Sequence, residues 1–75
     1  MDELEAAVRV LREEGSALHW TVIQDLALRR GYLDPFTQRD IRKRLLAALA
    51  EAARDRASPV EKADKGVYVL REGSS

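Results

Sequence analysis

The side chains in this sequence best suited to chemistry are cations. Between positions 29 and 44 stand Arg29, Arg30, Arg39, Arg42, Lys43 and Arg44, with Asp34 and Asp40 as the opposing carboxylates. Six cations against two carboxylates make a local net charge of +4 in a chain whose total is zero. Guanidinium and ammonium groups on long stems are what a protein needs to meet phosphate oxygens. The compensating charge lies elsewhere. Residues 1–14 hold Asp2, Glu3, Glu5, Glu13 and Glu14 against Arg9 and Arg12, a local net charge of −3. A folded domain with this layout has a basic side and an acidic side, and it can dock on a polyanion despite a neutral total.

Other chemistries find little material. The chain has no cysteine and a single histidine, His19, so neither a disulfide framework nor a thiolate or histidine-rich metal site is expected. No second histidine and no serine–aspartate pair stands near His19 in sequence to build a nucleophile and its base. The carboxylates are scattered along a helix surface rather than paired in a buried setting. The expectation is a non-enzymatic protein with no cofactor, no metal and no small-molecule substrate. No apolar run approaches the roughly 20 residues that span a bilayer, and the acidic start Met1-Asp2-Glu3 is unlike a signal peptide. A soluble cytoplasmic protein without a membrane partner is expected, associated with the nucleoid if it binds DNA.

The elements that must position the cations follow from periodicity. Leu4, Ala7, Val8 and Leu11 recur at helical spacing, predicting a helix over 2–14 with Asp2 as its cap and Gly15 ending it. Ala17-Leu18-His19 reads as a short extended piece. Val22, Ile23, Leu26 and Ala27 predict a second helix to Arg30, stopped by Gly31. Asp34-Pro35 marks a boundary, since the residue before proline resists the α region. Thr37 is then the expected N-cap of a third helix running to Ala57, with Asp40 completing a weak capping box. Its apolar arc is Ile41, Leu45, Ala48, Leu49 and Ala52, and Ser58-Pro59 ends it. Residues 59–62 and 67–70 read as two strands joined by a turn at 63–66, with Gly66 suited to a positive φ beside a bulge.

This order predicts an α+β fold, a winged helix-turn-helix with three helices and a small antiparallel β-hairpin wing, to which Leu18 adds a third strand. The domain is expected over residues 1–71, with 72–75 a disordered tail or the start of a linker. Leu11, Ile23, Leu26, Ile41, Leu45, Leu49, Tyr68 and Leu70 are the expected core. Trp20 is expected to close that core between helix and wing rather than to stack on a base.

The chain resembles the HARE-HTH winged-helix domains over about residues 3–70. The likeness rests on the opening amphipathic helix ending in glycine and on Leu18-His19-Trp20 leading into Ile23. It continues through Arg30-Gly31-Tyr32-Leu33 and the final Gly66-Val67-Tyr68-Val69-Leu70, with glycine, aromatic and leucine at alternate positions. The resemblance implies a nucleic-acid-linked role. Such domains stand at the N-termini of restriction-type nucleases and of chromatin proteins, and a related one occurs in the δ subunit of bacterial RNA polymerase. This sequence departs from the family before the third helix, where Asp34-Pro35-Phe36-Thr37 replaces a stretch containing glycine and threonine.

The resulting expectation is a double-stranded-DNA-binding module, the N-terminal domain of a larger nucleic-acid-processing or regulatory protein. Arg39 and Lys43, one turn apart on the predicted third helix, are the leading contacts. Arg42 and Arg30 are expected beside them on phosphates, and Thr37 and Gln38 complete the helix start. Lys62 and Lys65 sit in the predicted wing, where they serve either as backbone contacts or as charges that keep an edge hairpin from aggregating. The alternative is a protein-docking module of the same fold, bound to RNA polymerase or to a partner or fused domain. Phe36, Leu28 and Leu46, which fall off the main apolar stripes, favour it.

Overall fold

The computed structural model describes residues 1–71; the predicted tail, residues 72–75, lies outside them. The elements run α1 (Glu3–Glu14), β1 (Leu18–His19), α2 (Trp20–Arg29), α3 (Ile41–Arg54), β2 (Val60–Asp64) and β3 (Val67–Leu70). The strands form one antiparallel sheet in the order β1-β3-β2. No helix among these residues is long and apolar enough to cross a membrane.

Local chemistry sets the ends of α1. The Asp2 side chain accepts from the Glu5 N–H at 2.8 Å, which satisfies one of the orphan donors of the first turn. Gly15, at φ +66°, donates its N–H to the Leu11 carbonyl and closes the last turn. The buried face overlaps the predicted one at Ala7 and Leu11 and is turned toward Ala6 and Val10. Ala6, Ala7, Val10 and Leu11 are buried, while Leu4 and Val8 are half-buried. The apolar arc on α1 is broad, and the side turned inward carries Ala6, Ala7, Val10 and Leu11. Glu3 is carried inward on the same side and is only 7% exposed.

His19 ends β1 and caps α2. Its Nδ1 accepts from the Thr21 N–H at 3.3 Å and lies 2.8 Å from the Thr21 hydroxyl. Leu18 and His19 pair with Tyr68 and Val67 of β3, so the short extended piece is the third strand the sequence predicts. The hairpin is longer than predicted. β2 runs on to Asp64, and Lys65-Gly66 alone make the turn. Lys62 pairs with Tyr68 and Asp64 with Val67, leaving Ala63 as the extra residue of a bulge. Gly66 takes φ +71° there.

The third helix is shorter than predicted at both ends. It starts at Ile41 rather than Thr37 because Asp40, at φ +52°, breaks any continuous helix before it. Thr37 is therefore not the N-cap, and the capping box with Asp40 does not form. Residues 34–38 make their own turn. The Asp34 carboxylate accepts from the Phe36 N–H, its carbonyl accepts from the Gln38 N–H, and its own N–H donates to the Gln38 side chain. At the other end the Asp55 carboxylate accepts from the Ala57 N–H, and its carbonyl accepts from the Ser58 N–H. Such local bonds compete with further helix.

The core is continuous across all three helices and the hairpin. Leu11, Ile23, Ile41, Leu45, Leu49 and Tyr68 are buried as predicted, joined by Val10, Leu33 and Val60. Leu26 and Leu70, predicted buried, are half-buried against this cluster. Leu33 arrives from the irregular segment after α2. Its N–H and that of Tyr32 both donate to the Ala27 carbonyl, wrapping the chain over the helix end.

Candidate nucleic-acid interface

The first turn of α3 and the residues leading into it gather four of the six cations of 29–44. The turn has no acidic residue and no side-chain cap. The Arg44 N–H reaches the Asp40 carbonyl, as an α-helix requires, and the preceding N–H groups are the orphan donors of the turn. They give the helix start a partial positive charge. Arg42, Lys43 and Arg44 lie in this turn and Arg39 just before it, all exposed. Arg39, Arg42 and Lys43 form no ion pair among the described residues, whereas Arg44 lies 3.5 Å from the Glu3 carboxylate. Helix dipole and side chains thus present mostly positive charge to solvent, with the exposed Asp40 carboxylate as the negative group at the N-cap, an arrangement suited to attracting anions.

Contrary to the sequence prediction, Arg39 does not share the helix with Lys43. The left-handed Asp40 stands between them, so Arg39 belongs to the turn. Arg42 is the cation with a fixed station. Its guanidinium carbon lies 5.3 Å from the centre of the Trp20 ring, a cation–π contact. The Trp20 backbone N–H donates to the Gly66 carbonyl at 2.9 Å. Trp20 is half-buried against the core, as predicted, and it also joins the start of α3 to the turn of the hairpin. A Cβ on Gly66 would stand 2.8 Å from Nε2 of His19 and 3.4 Å from the Trp20 ring, so the hairpin turn is held tightly on the start of α2. That turn carries Lys65, and β2 carries Lys62, both exposed. Lys62 faces the same side of the sheet as its partner Tyr68.

Three of the predicted contacts stand differently. Arg30 donates to Glu13 and to Glu14, each at 2.7 Å, and so ties the end of α2 to the end of α1. The Tyr32 hydroxyl donates to Glu13 at 2.5 Å, and the Arg9 guanidinium lies 5.5 Å from the Tyr32 ring centre. The bond from Tyr32 holds the Glu13 carboxyl below the usual range, with Arg30 adding to it. The same bond holds the Tyr32 hydroxyl above its ordinary value. Arg30 is raised by its bond to Glu14 first and Glu13 second. Gln38 is spent inside the fold. Its amide donates to Glu3 at 3.1 Å and to the Met1 carbonyl at 3.2 Å. Thr37 is exposed in the turn, ahead of the helix it was expected to cap.

Sequence reasoning missed Glu3 as a tether. It holds Gln38 and faces Arg44, fastening the 34–40 turn to the start of α1. A glutamate in the first turn of a helix has an ordinary explanation in the helix dipole, which hides the second use. The two exposed leucines predicted off the stripes, Leu28 and Leu46, are half-buried, and Phe36 is 96% exposed. Comparison with protein-family models, with curated protein sequences and with solved structures finds no match, so the meaning of this surface rests on its geometry.

Proposed function

We propose that this protein is a winged helix-turn-helix module that binds double-stranded DNA through the start of α3. The element order and the β1-β3-β2 sheet support the winged-helix reading, with β2 and β3 as the wing. The likeness in motif order to HARE-HTH domains supports a nucleic-acid-linked role. One observation carries the reading: the uncapped first turn of α3 and the residue leading into it hold Arg39, Arg42 and Lys43 with no carboxylate partner among the described residues. Arg39 and Lys43 are the phosphate contacts. Arg42, stacked on Trp20, is the oriented cation between them and the wing lysines, Lys62 and Lys65. Phosphate contacts of this kind fix position on a duplex, and any base contacts would come from the exposed side of α3.

The test is a salt titration of binding to a short duplex. Replacing Arg39 and Lys43 together with alanine should weaken binding and reduce the slope of log K against log[salt] by about 2. Both side chains are exposed, so the melting curve should not move. Absence of duplex binding by the wild-type protein at low salt would defeat this reading.

A specific feature favours a second reading, a protein-docking module. Met1, Leu4, Val8 and Pro59 line a groove of ≈ 370 Å³ on the outer side of α1, together with Glu5, Arg9 and Arg12. An apolar groove whose charged lining is net positive suits a partner helix with an acidic flank. Binding of a protein through this groove, with no affinity for DNA, is the outcome that this second reading expects.

A further inference from the structure

Phe36 is the one large apolar side chain that the described residues leave almost wholly in water, at 96% exposure. A phenylalanine on a loose loop would be unremarkable. This one is held still. The Asp34 carboxylate accepts from the Phe36 N–H at 2.9 Å, the Asp34 carbonyl accepts from the N–H groups of Thr37 and Gln38, and the Asp34 N–H donates to the Gln38 side chain at 2.8 Å. The Gln38 amide in turn anchors the turn to Met1 and Glu3 of the N-terminal segment. The backbone that presents the ring is therefore ordered before any partner arrives, which lowers the entropic cost of using it.

Its surroundings indicate the kind of partner. The nearest residues along the chain, Asp34, Pro35, Thr37, Arg39 and Asp40, are exposed, and none offers an aliphatic or aromatic surface larger than proline's. The anchor of a protein interface is typically ringed by further packed contacts that exclude water. Of the charged neighbours, Asp34 is turned onto the Phe36 N–H, while Asp40 and the cation Arg39 are exposed. A lone ring with a cation a few residues along is how single-stranded nucleic acid is gripped: bases stack on the ring while cations hold the backbone. A ring can also wedge between stacked base pairs, but that unstacking is recovered by bending the duplex around a larger protein surface. With principal extents of 34 × 21 × 20 Å, this domain by itself has little surface to wrap. A base that is already unpaired needs no such recovery.

We infer that Phe36 is a stacking platform for an unpaired base at the edge of a DNA duplex, so that the protein prefers a junction of double and single strand over a blunt duplex. The inference rests on the DNA-binding reading above. Arg39, three residues on, is placed to hold the phosphate that follows the unstacked base, and the start of α3 holds the duplex.

The experiment compares a blunt duplex with the same duplex carrying a short single-stranded tail. Binding is read by anisotropy, with 2-aminopurine as the first unpaired base to report stacking. The wild-type protein should bind the tailed form about tenfold more tightly, the lower part of the range that base–aromatic stacking supports. Phe36→Ala should erase that preference while leaving blunt-duplex affinity and the melting curve unchanged. Phe36→Trp should keep the preference and the 2-aminopurine response. Equal affinity of the wild type for both DNAs, or a preference that survives Phe36→Ala, overturns this inference while the duplex-binding reading stands. Failure to bind either DNA overturns both.

Discussion

Two regions of the molecule are built from the same cations and do opposite things with them. Where α1 ends against α2, Arg30 bonds to Glu13 and Glu14, Tyr32 bonds to Glu13, and Arg9 lies over the Tyr32 ring. Arg30 and the two carboxylates answer one another within the fold. At the start of α3, Arg39, Arg42 and Lys43 have no carboxylate partner among the described residues, and the helix end adds its own positive field. Both regions draw on the single basic run at 29–44. Counting arginines cannot separate a cation that fastens two helices from one held ready for a ligand. The separation depends on which carboxylates the tertiary fold delivers.

Both regions hang on one core, and the largest expected effect comes from breaking it. Leu45 is fully buried on α3, one turn past Ile41. Leu45→Ala should lower the unfolding free energy by about 2–5 kcal/mol, a large part of what a domain this small possesses. Urea denaturation measures it. A loss near zero would mean that α3 turns a different face to the core, and the comparison between the two regions would lose its frame.

A smaller loss is expected where the hairpin meets the cationic face. Gly66→Ala forces a side chain into a left-handed conformation, at a cost of roughly 1–2 kcal/mol. It also drives a Cβ toward His19, whose imidazole caps α2. The Trp20 fluorescence spectrum should shift with it, because the indole packs on the same turn. If stability and spectrum both stay as in the wild type, the hairpin is not what holds Trp20 under Arg42.

The contrast between the regions can be sharpened by one cation from each. Arg30→Ala should leave affinity for duplex DNA unchanged and cause a small loss of thermal stability that shrinks at high salt. Lys43→Ala should do the reverse, weakening binding with no change in melting. Should Arg30→Ala weaken DNA binding as much as Lys43→Ala, the division drawn between fastening and ligand-facing cations collapses.

Much of the fold was legible because its signals are local. The cap at Asp2, the left-handed Gly15 and Gly66, the strand at Leu18 and the alternation of the last strand all follow from residue type and spacing. The start of α3 was not legible. Thr37 has the chemistry of an N-cap, but Gln38 is drawn into bonds with Asp34, Met1 and Glu3, two of which lie far away in sequence. The face of α1 was half legible for a related reason. Ala7 and Leu11 point inward as the spacing predicts, but Ala6 and Val10 join them while Leu4 and Val8 lie at the edge, and no single-helix pattern contains the partners that decide this. Of the candidate site, the sequence revealed the clustering of charge but not its division. Arg30 and Arg42 read alike until Glu13, Glu14 and Trp20 are seen beside them.

The smallest expected effect belongs to the paired region and is a matter of pH. The bond from Tyr32, helped by Arg30, holds the Glu13 carboxyl below its ordinary value in the fold. A carboxylate so depressed stabilises the folded state fully above its unfolded pKa of about 4.3, and the contribution disappears as pH falls through the lower folded value. Tyr32 has the opposite sign. Its hydroxyl is raised, first by the same bond, so its share is present below its unfolded pKa of about 10 and is lost as pH rises through the folded one. The contact is therefore strongest between these limits. Glu13→Gln keeps an oxygen that can accept from Tyr32 but removes the charge. The melting temperature of the wild type should exceed that of Glu13→Gln by a small, constant margin at neutral pH, and the two curves should converge under acid. Because the groups face solvent, high salt should narrow the margin as well. A margin that persists unchanged below the carboxylate range would show that shape rather than charge fastens α1 to α2, and the two regions would then differ in less than their electrostatics suggest.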